Sequence, residues 1–300
     1  FERPIKFETS RGMETSTYEE VKDFYTELSG YSDKFKLVDF GMTDAGLPLQ
    51  LFTFQQTDNA NNINLLINNG IHPGESDGID ACMLMLKDIV NGKIDFPTNV
   101  NLHIIPSYNI GGMLNRNSTS RANQNGPKAY GFRGNARNFD LNRDFIKMDT
   151  KNMEAFAEIY HRINPEVYVE THVSNGADYQ YTLTHLLTQH NRLGYDLGEY
   201  LENVFKVKLE NQLAEKDLII TPYVNVFGRT PDRGFSQFID FPRYSTGYTA
   251  LWNTLGLMIE THMLKPYKNR VLQTKDMLEI IANISSTDAE KIKNARKASK

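Results

Sequence analysis

Ile63-Asn64-Leu65-Leu66-Ile67-Asn68-Asn69-Gly70-Ile71-His72-Pro73-Gly74-Glu75 is the stretch on which the reading of this chain turns. Its apolar first half, Ile63 to Asn68, reads as a buried strand. Just past the strand's mouth stand an imidazole, His72, and a carboxylate, Glu75, three residues apart. The Pro-Gly turn between them lets both side chains face one cation without a helix to space them. Gly78 to Val90 then reads as a helix.

The same alternation continues on either side. Tyr18 to Leu28 has apolar residues at helical spacing and stops at Ser29-Gly30, and Lys36–Phe40 with Leu49–Phe54 read as a hairpin. Downstream come a strand at Val100–Pro106, a helix at Lys151–Ile163, a strand at Val167–Glu170, a helix at Gln189–Leu209, a strand at Gly256–Glu260 and a helix at Asn269–Ile284. Strands interleaved with helices predict an α/β fold, a mixed or mostly parallel sheet covered on both faces. No linker or repeat divides residues 1–300, so one domain is expected. In such sheets ligands gather beyond the carboxyl ends of the strands, where His72, Glu75, His172 and Glu260 all fall. The loop from Tyr108 to Asn138 is long enough to be read as functional.

Composition removes several classes of partner. A net charge of −4, with Lys and Arg scattered, provides no basic field for nucleic acid. The apolar runs are far shorter than the roughly 20 residues of a membrane span. The single cysteine, Cys82, excludes an intramolecular disulfide and a cysteine-based zinc site, and its apolar neighbours make it a core residue. The chain opens at Phe1, consistent with a removed leader, and Thr287 to Lys300 is a charged, helix-favouring tail that resembles a cut between domains.

Two imidazoles and one carboxylate with a fourth position left to water make a hydrolytic zinc site rather than a structural one. His72 and Glu75 are two of the donors. Glu170-Thr171-His172 and Glu260-Thr261-His262 each follow an apolar run, so spacing alone leaves His172 and His262 as rivals for the third. A separate carboxylate must move the water's proton, a role open to Glu260. Asp140 can orient His72 through its other ring nitrogen. Anionic groups on the substrate need fixed cations, and Arg133, Arg137 and Arg143 are close in sequence. Glu170 reads as a local hydrogen-bonding partner, His103 and His185 as core groups, Arg116 and Arg121 as loop-solvating or cleft-lining residues, and Trp252 as core.

His72-Pro73-Gly74-Glu75, Asp140-Leu141-Asn142-Arg143, His172 and Glu260 occur in the order and approximate spacing of the M14 zinc carboxypeptidases, and the resemblance spans about Ile63 to Met263. It implies a single α/β/α domain around a mixed sheet of about eight strands. It implies one Zn2+ held by His72, Glu75 and His172, with Glu260 as general base, Asn142 and Arg143 as the clamp on a peptide's terminal carboxylate, and Asp140 as the orienting acid. Arg133, nine residues before Asn142, matches the oxyanion-stabilising arginine, with Arg137 as runner-up; Tyr248, or else Tyr244, matches the tyrosine that caps the substrate. The one cysteine and the segment Gly176-Ala177-Asp178-Tyr179-Gln180-Tyr181 depart from the digestive enzymes. The expected activity is removal of a C-terminal residue from a peptide. Hydrolysis of N-acyl amino acids or cell-wall peptides is the alternative within enzymes, a catalytically silent peptide-binding module the alternative outside them, and an exported bacterial location the expectation from resemblance.

Overall fold

In the computed structural model, which describes residues 1–174, 178–225 and 230–299, the apolar runs form β1 (Phe35–Met42), β2 (Pro48–Phe54), β3 (Ile63–Asn68), β4 (Val100–Ile105), β5 (Val167–Val173) and β10 (Leu255–Thr261). Between the last two lie β6 (Leu183–Leu187), β7 (Ile220–Pro222), β8 (Val224–Asn225) and β9 (Ser236–Gln237). Gly176, Ala177 and Lys300 lie outside the described residues. One eight-stranded sheet runs β1-β2-β4-β3-β5-β10-β6-β7, and β8 pairs with β9 separately. Its centre, β4-β3-β5-β10, is parallel, while β2 and β6 flank it antiparallel. This is the mixed α/β sheet of about eight strands expected above.

The central strands are mostly apolar because helices cover both faces. Successive side chains alternate between faces, so Leu65, Ile67, Val167 and Val169 enter one core with the helices Asp77–Val90 and Tyr267–Thr287. Leu66 and Tyr168 enter the other with Phe156 of the helix Lys151–Ile163. Each such fully buried aliphatic or aromatic side chain is worth about 1.5–3 kcal/mol. Arg270 is fully buried, its Nε 3.0 Å from Asp77 Oδ2, and it donates to the Met263 and Gly126 carbonyls, both at 2.9 Å. That pair ties the two helices of the first core to the loops beside the site.

Two glycines bring the backbone close enough for the site to form. Gly70, at φ +70°, turns the chain out of β3 into a left-handed conformation that costs other residues energy. At Gly78 a Cβ would lie 2.0 Å from Thr171 Oγ1, so only glycine lets the helix start against β5. The helix expected over Gln189–Leu209 is divided: a tight turn at His190–Arg192 precedes helical residues Tyr195–Tyr200, a wide turn Leu201–Phe205 and the helix Lys206–Ala214. Leu193, in extended backbone, separates the first turn from the rest. The charged, helix-favouring tail forms the helix Ala289–Ala298. No helix among the described residues is long and apolar enough to cross a membrane.

Candidate metal centre and substrate cleft

The carboxyl ends of β3, β5 and β10 deliver the site. His72 and Glu75 follow β3, and His172 lies in β5 directly opposite Glu260 of β10 in parallel register. The two Glu-Thr-His segments are therefore out of step by two residues. That offset aligns a histidine with a glutamate and sends His262 elsewhere: its Nε2 lies 3.1 Å from Asp178 Oδ1 and its Nδ1 accepts from Leu264 N at 3.2 Å.

His72, Glu75 and His172 present one donor atom each within 4.8 Å of one another, all three buried. Both imidazoles turn Nδ1 towards Glu75: His72 Nδ1 is 3.3 Å from Oε1 and His172 Nδ1 is 2.8 Å from Oε2. Each Nε2 is held by another carboxylate, His72 by Asp140 at 2.9 Å and His172 by Glu170 at 3.2 Å. Two imidazoles and a carboxylate form a donor set suited to zinc, and acids on the distal nitrogens fix the tautomers a metal ligand needs. Asp140 is itself fixed, since its carboxylate caps the turn Leu141–Arg143 through Asn142 N at 3.0 Å and takes Arg133 Nε at 3.0 Å.

A second cation serves Glu75. Arg121 Nη1 donates to Glu75 Oε1 at 2.6 Å while Nη2 donates to the Val173 and Ser174 carbonyls at 2.9 and 3.3 Å. Burial works against an ionised Glu75, but Arg121 and His72 outweigh it and hold the carboxyl well below the usual range. Burial also disfavours a charged His172, yet Glu170 and Glu75 raise that imidazole well above its ordinary value. For Glu260 the pull of His172 and Arg121 does not outweigh burial. Its Oε2 is buried without a hydrogen-bond partner, and burial, with Glu75 and Glu170 adding to it against the opposing pull of His172, pushes the carboxyl up to about 8.

A cleft of about 280 Å³ opens over these groups, lined also by Arg133, Asn142, Arg143, Glu170, Tyr223, Phe238, Asp240, Tyr244 and Met258. Arg143 donates to the Asn142 carbonyl at 2.7 Å and lies over the Tyr244 ring at 4.6 Å, so its guanidinium is already oriented. The buried Asn142 Oδ1 has no partner. Arg137, by contrast, sits over Phe139 and near Asp44 Oδ1 at 3.6 Å, outside the cleft lining.

Tyr248, expected to cap the substrate, takes no part in the cleft. It belongs to the helix Ser245–Ala250, is buried among Phe145, Phe156 and Tyr160, and its hydroxyl lies 3.0 Å from His161 Nε2. Helical spacing turns it inwards, leaving Tyr244 on the cleft side. Arg116 is structural, donating to the Ser16, Thr15 and Ala129 carbonyls at 3.1, 3.2 and 2.8 Å. His103 bonds Thr53 Oγ1 at 2.9 Å, and burial lowers it to about 4. Cys82 accepts from Asn69 at 3.3 Å, and burial pushes the thiol up to about 12. Trp252, expected in the core, is 45% exposed and meets His161 edge-on.

Residues 21–186 match the family model of zinc carboxypeptidases, the M14 peptidases, a span that includes every site residue discussed from His72 to His172 and stops before Glu260. No curated protein is matched by the sequence. Among solved structures, a metallo-carboxypeptidase of Burkholderia cenocepacia is 16% identical with a TM-score of 0.65, covering 91% of this chain and 69% of its own. A Pseudomonas aeruginosa metallo-carboxypeptidase in complex with (2-guanidinoethylmercapto)succinic acid is 12% identical with a TM-score of 0.68 over 92% and 70%. Bovine thrombin-activatable fibrinolysis inhibitor, in complex with tick carboxypeptidase inhibitor, is 14% identical with a TM-score of 0.62 over 93% and 98%. At these identities the likeness is one of fold.

Proposed function

The chain belongs to the zinc carboxypeptidase family, and from that premise we propose that it removes the last residue of a peptide by hydrolysis. The observation that carries this reading is the meeting, at one sheet edge, of the His72–Glu75–His172 donor cluster with Glu260 and the Arg143–Asn142 pair. A zinc ion held by the three donors supplies a Lewis acid and a bound water of lowered pKa.

The chain's own groups do the rest. Arg143, held by the Asn142 carbonyl and the Tyr244 ring, offers a planar fork to the substrate's terminal carboxylate, and the unpartnered Asn142 side chain adds a polar contact beside it. Glu260 takes a proton from the attacking water and returns it to the leaving nitrogen. Burial raises its proton affinity and a nearby dication would lower it, the two influences that set a general base's readiness to accept and release a proton. Arg133, 40% exposed at the cleft edge and 2.9 Å from Asp140 Oδ2, faces the developing oxyanion.

A pair of peptides differing only in a free or an amidated C-terminus tests the reading. The protein should bind zinc and cleave the free acid, and Arg143→Ala should reduce kcat/KM on it by about ten- to a hundredfold, the range for a lost charge-assisted hydrogen bond. Equal cleavage of acid and amide by the wild type overturns the proposal.

A further inference from the structure

We propose that Asp240 is the specificity determinant of the cleft and selects a released residue with a cationic side chain, an ammonium or a guanidinium. This rests on the carboxypeptidase reading. Asp240 is 3% exposed, lines the cleft, and neither of its carboxylate oxygens has a hydrogen-bond partner among the described residues. A buried acid is expensive to keep unless it is paired, and no cation of the described chain pairs with it. Arg192, whose charge reaches it, lies over the Phe241 ring at 4.8 Å. Burial first, then the negative charge of Glu170, holds Asp240 well above the usual carboxylate range. A cation entering the cleft would supply the missing partner.

The rest of the lining fits one kind of ligand. Arg133 and Arg143 provide positive charge at the more exposed side of the cleft, whereas Asp240 and Glu170 are buried acids, Glu170 being already engaged by His172. Met258 and Phe238 add apolar wall to the same lining. A carboxylate at one end, a methylene stem along the wall and a positive head at the other describe a basic amino acid. A volume of about 280 Å³, just below the range of drug-sized sites, suits a single residue.

The test uses zinc-loaded protein and matched peptides ending in arginine or its uncharged isostere citrulline, in lysine or norleucine, and in phenylalanine. The charged member of each pair should be cleaved with a kcat/KM at least about tenfold higher, and Asp240→Asn should bring both ratios towards one. Equal rates for arginine and citrulline in the wild type overturn the proposal, as does a preference that survives in a folded Asp240→Asn. If that variant does not fold, the wild-type ratios decide alone. Cleavage of the uncharged peptides without a charge preference defeats only this inference; cleavage of none defeats the carboxypeptidase reading beneath it.

Discussion

Glu260→Gln in metal-free protein should separate the cost of the base from its use. The wild-type carboxyl is raised from 4.5 to about 8 in the fold, so between those values the folded state holds a proton that the unfolded chain has released. Stability then falls as pH rises through this window, and it is fully recovered only below the unfolded value. At about 1.36 kcal/mol per pH unit, the penalty is about 1 kcal/mol at pH ~5 and about 4 kcal/mol at pH ~7.5. Glutamine has no proton to take up. Its own buried amide costs about 1–3 kcal/mol if left unpaired, a charge that does not vary with pH. The variant's stability relative to wild type should therefore improve by about 3 kcal/mol from pH ~5 to pH ~7.5, whatever its offset. Urea unfolding of both proteins with chelator at the two pH values measures it. A difference that stays flat with pH refutes the reasoning, because packing changes alone would give that result. Bound zinc should shrink the slope, since a nearby dication lowers the carboxyl's pKa.

Asp140→Asn should weaken zinc binding by about ten- to a hundredfold, the usual penalty for losing a group that orients a ligand histidine, because its carboxylate holds His72 Nε2 at 2.9 Å. Competition with a chelator measures this, and unchanged affinity would remove Asp140 from the role. Arg270→Met should destabilise the protein by about 3–5 kcal/mol by stranding the buried Asp77, and adding Asp77→Asn should recover part of the loss in denaturant unfolding. No recovery would mean that the helix-to-loop hydrogen bonds, not the ion pair, carry the stability.

What was legible in the sequence follows the range of the forces involved. Strands β3, β4, β5 and β10 announce themselves because burial on both faces leaves runs that are mostly apolar. His72 and Glu75 announce themselves because a local turn, not the fold, sets their spacing. Strands β6 and β7 do not. Thr184 and His185 interrupt the apolar pattern of one, and the other is three residues ending in proline. Arg121, in a loop rich in Asn and Ser, reads equally as a loop-solvating or a cleft-lining group until the fold brings Glu75, 46 residues away, to its guanidinium. Asp240 and Tyr223 carry no local pattern at all, and only the cleft gathers them.

The choice between His172 and His262 shows where periodicity stops and topology begins. Both follow an apolar strand and the same Glu-Thr pair, so no window of sequence can rank them. What ranks them is the parallel register of β5 and β10, which places Glu260 opposite His172 and Met258 opposite Glu170. One strand thus offers its histidine to the donor cluster and keeps its glutamate to hold that ring, while the neighbouring strand, displaced by two residues, offers its glutamate to the same cleft. Parity requires the offset to be even. Side chains alternate across a strand, so a shift of one residue would turn Glu260 to the opposite face of the sheet, away from His172. The functional difference between two identical tripeptides is therefore stored in the pairing of distant strands.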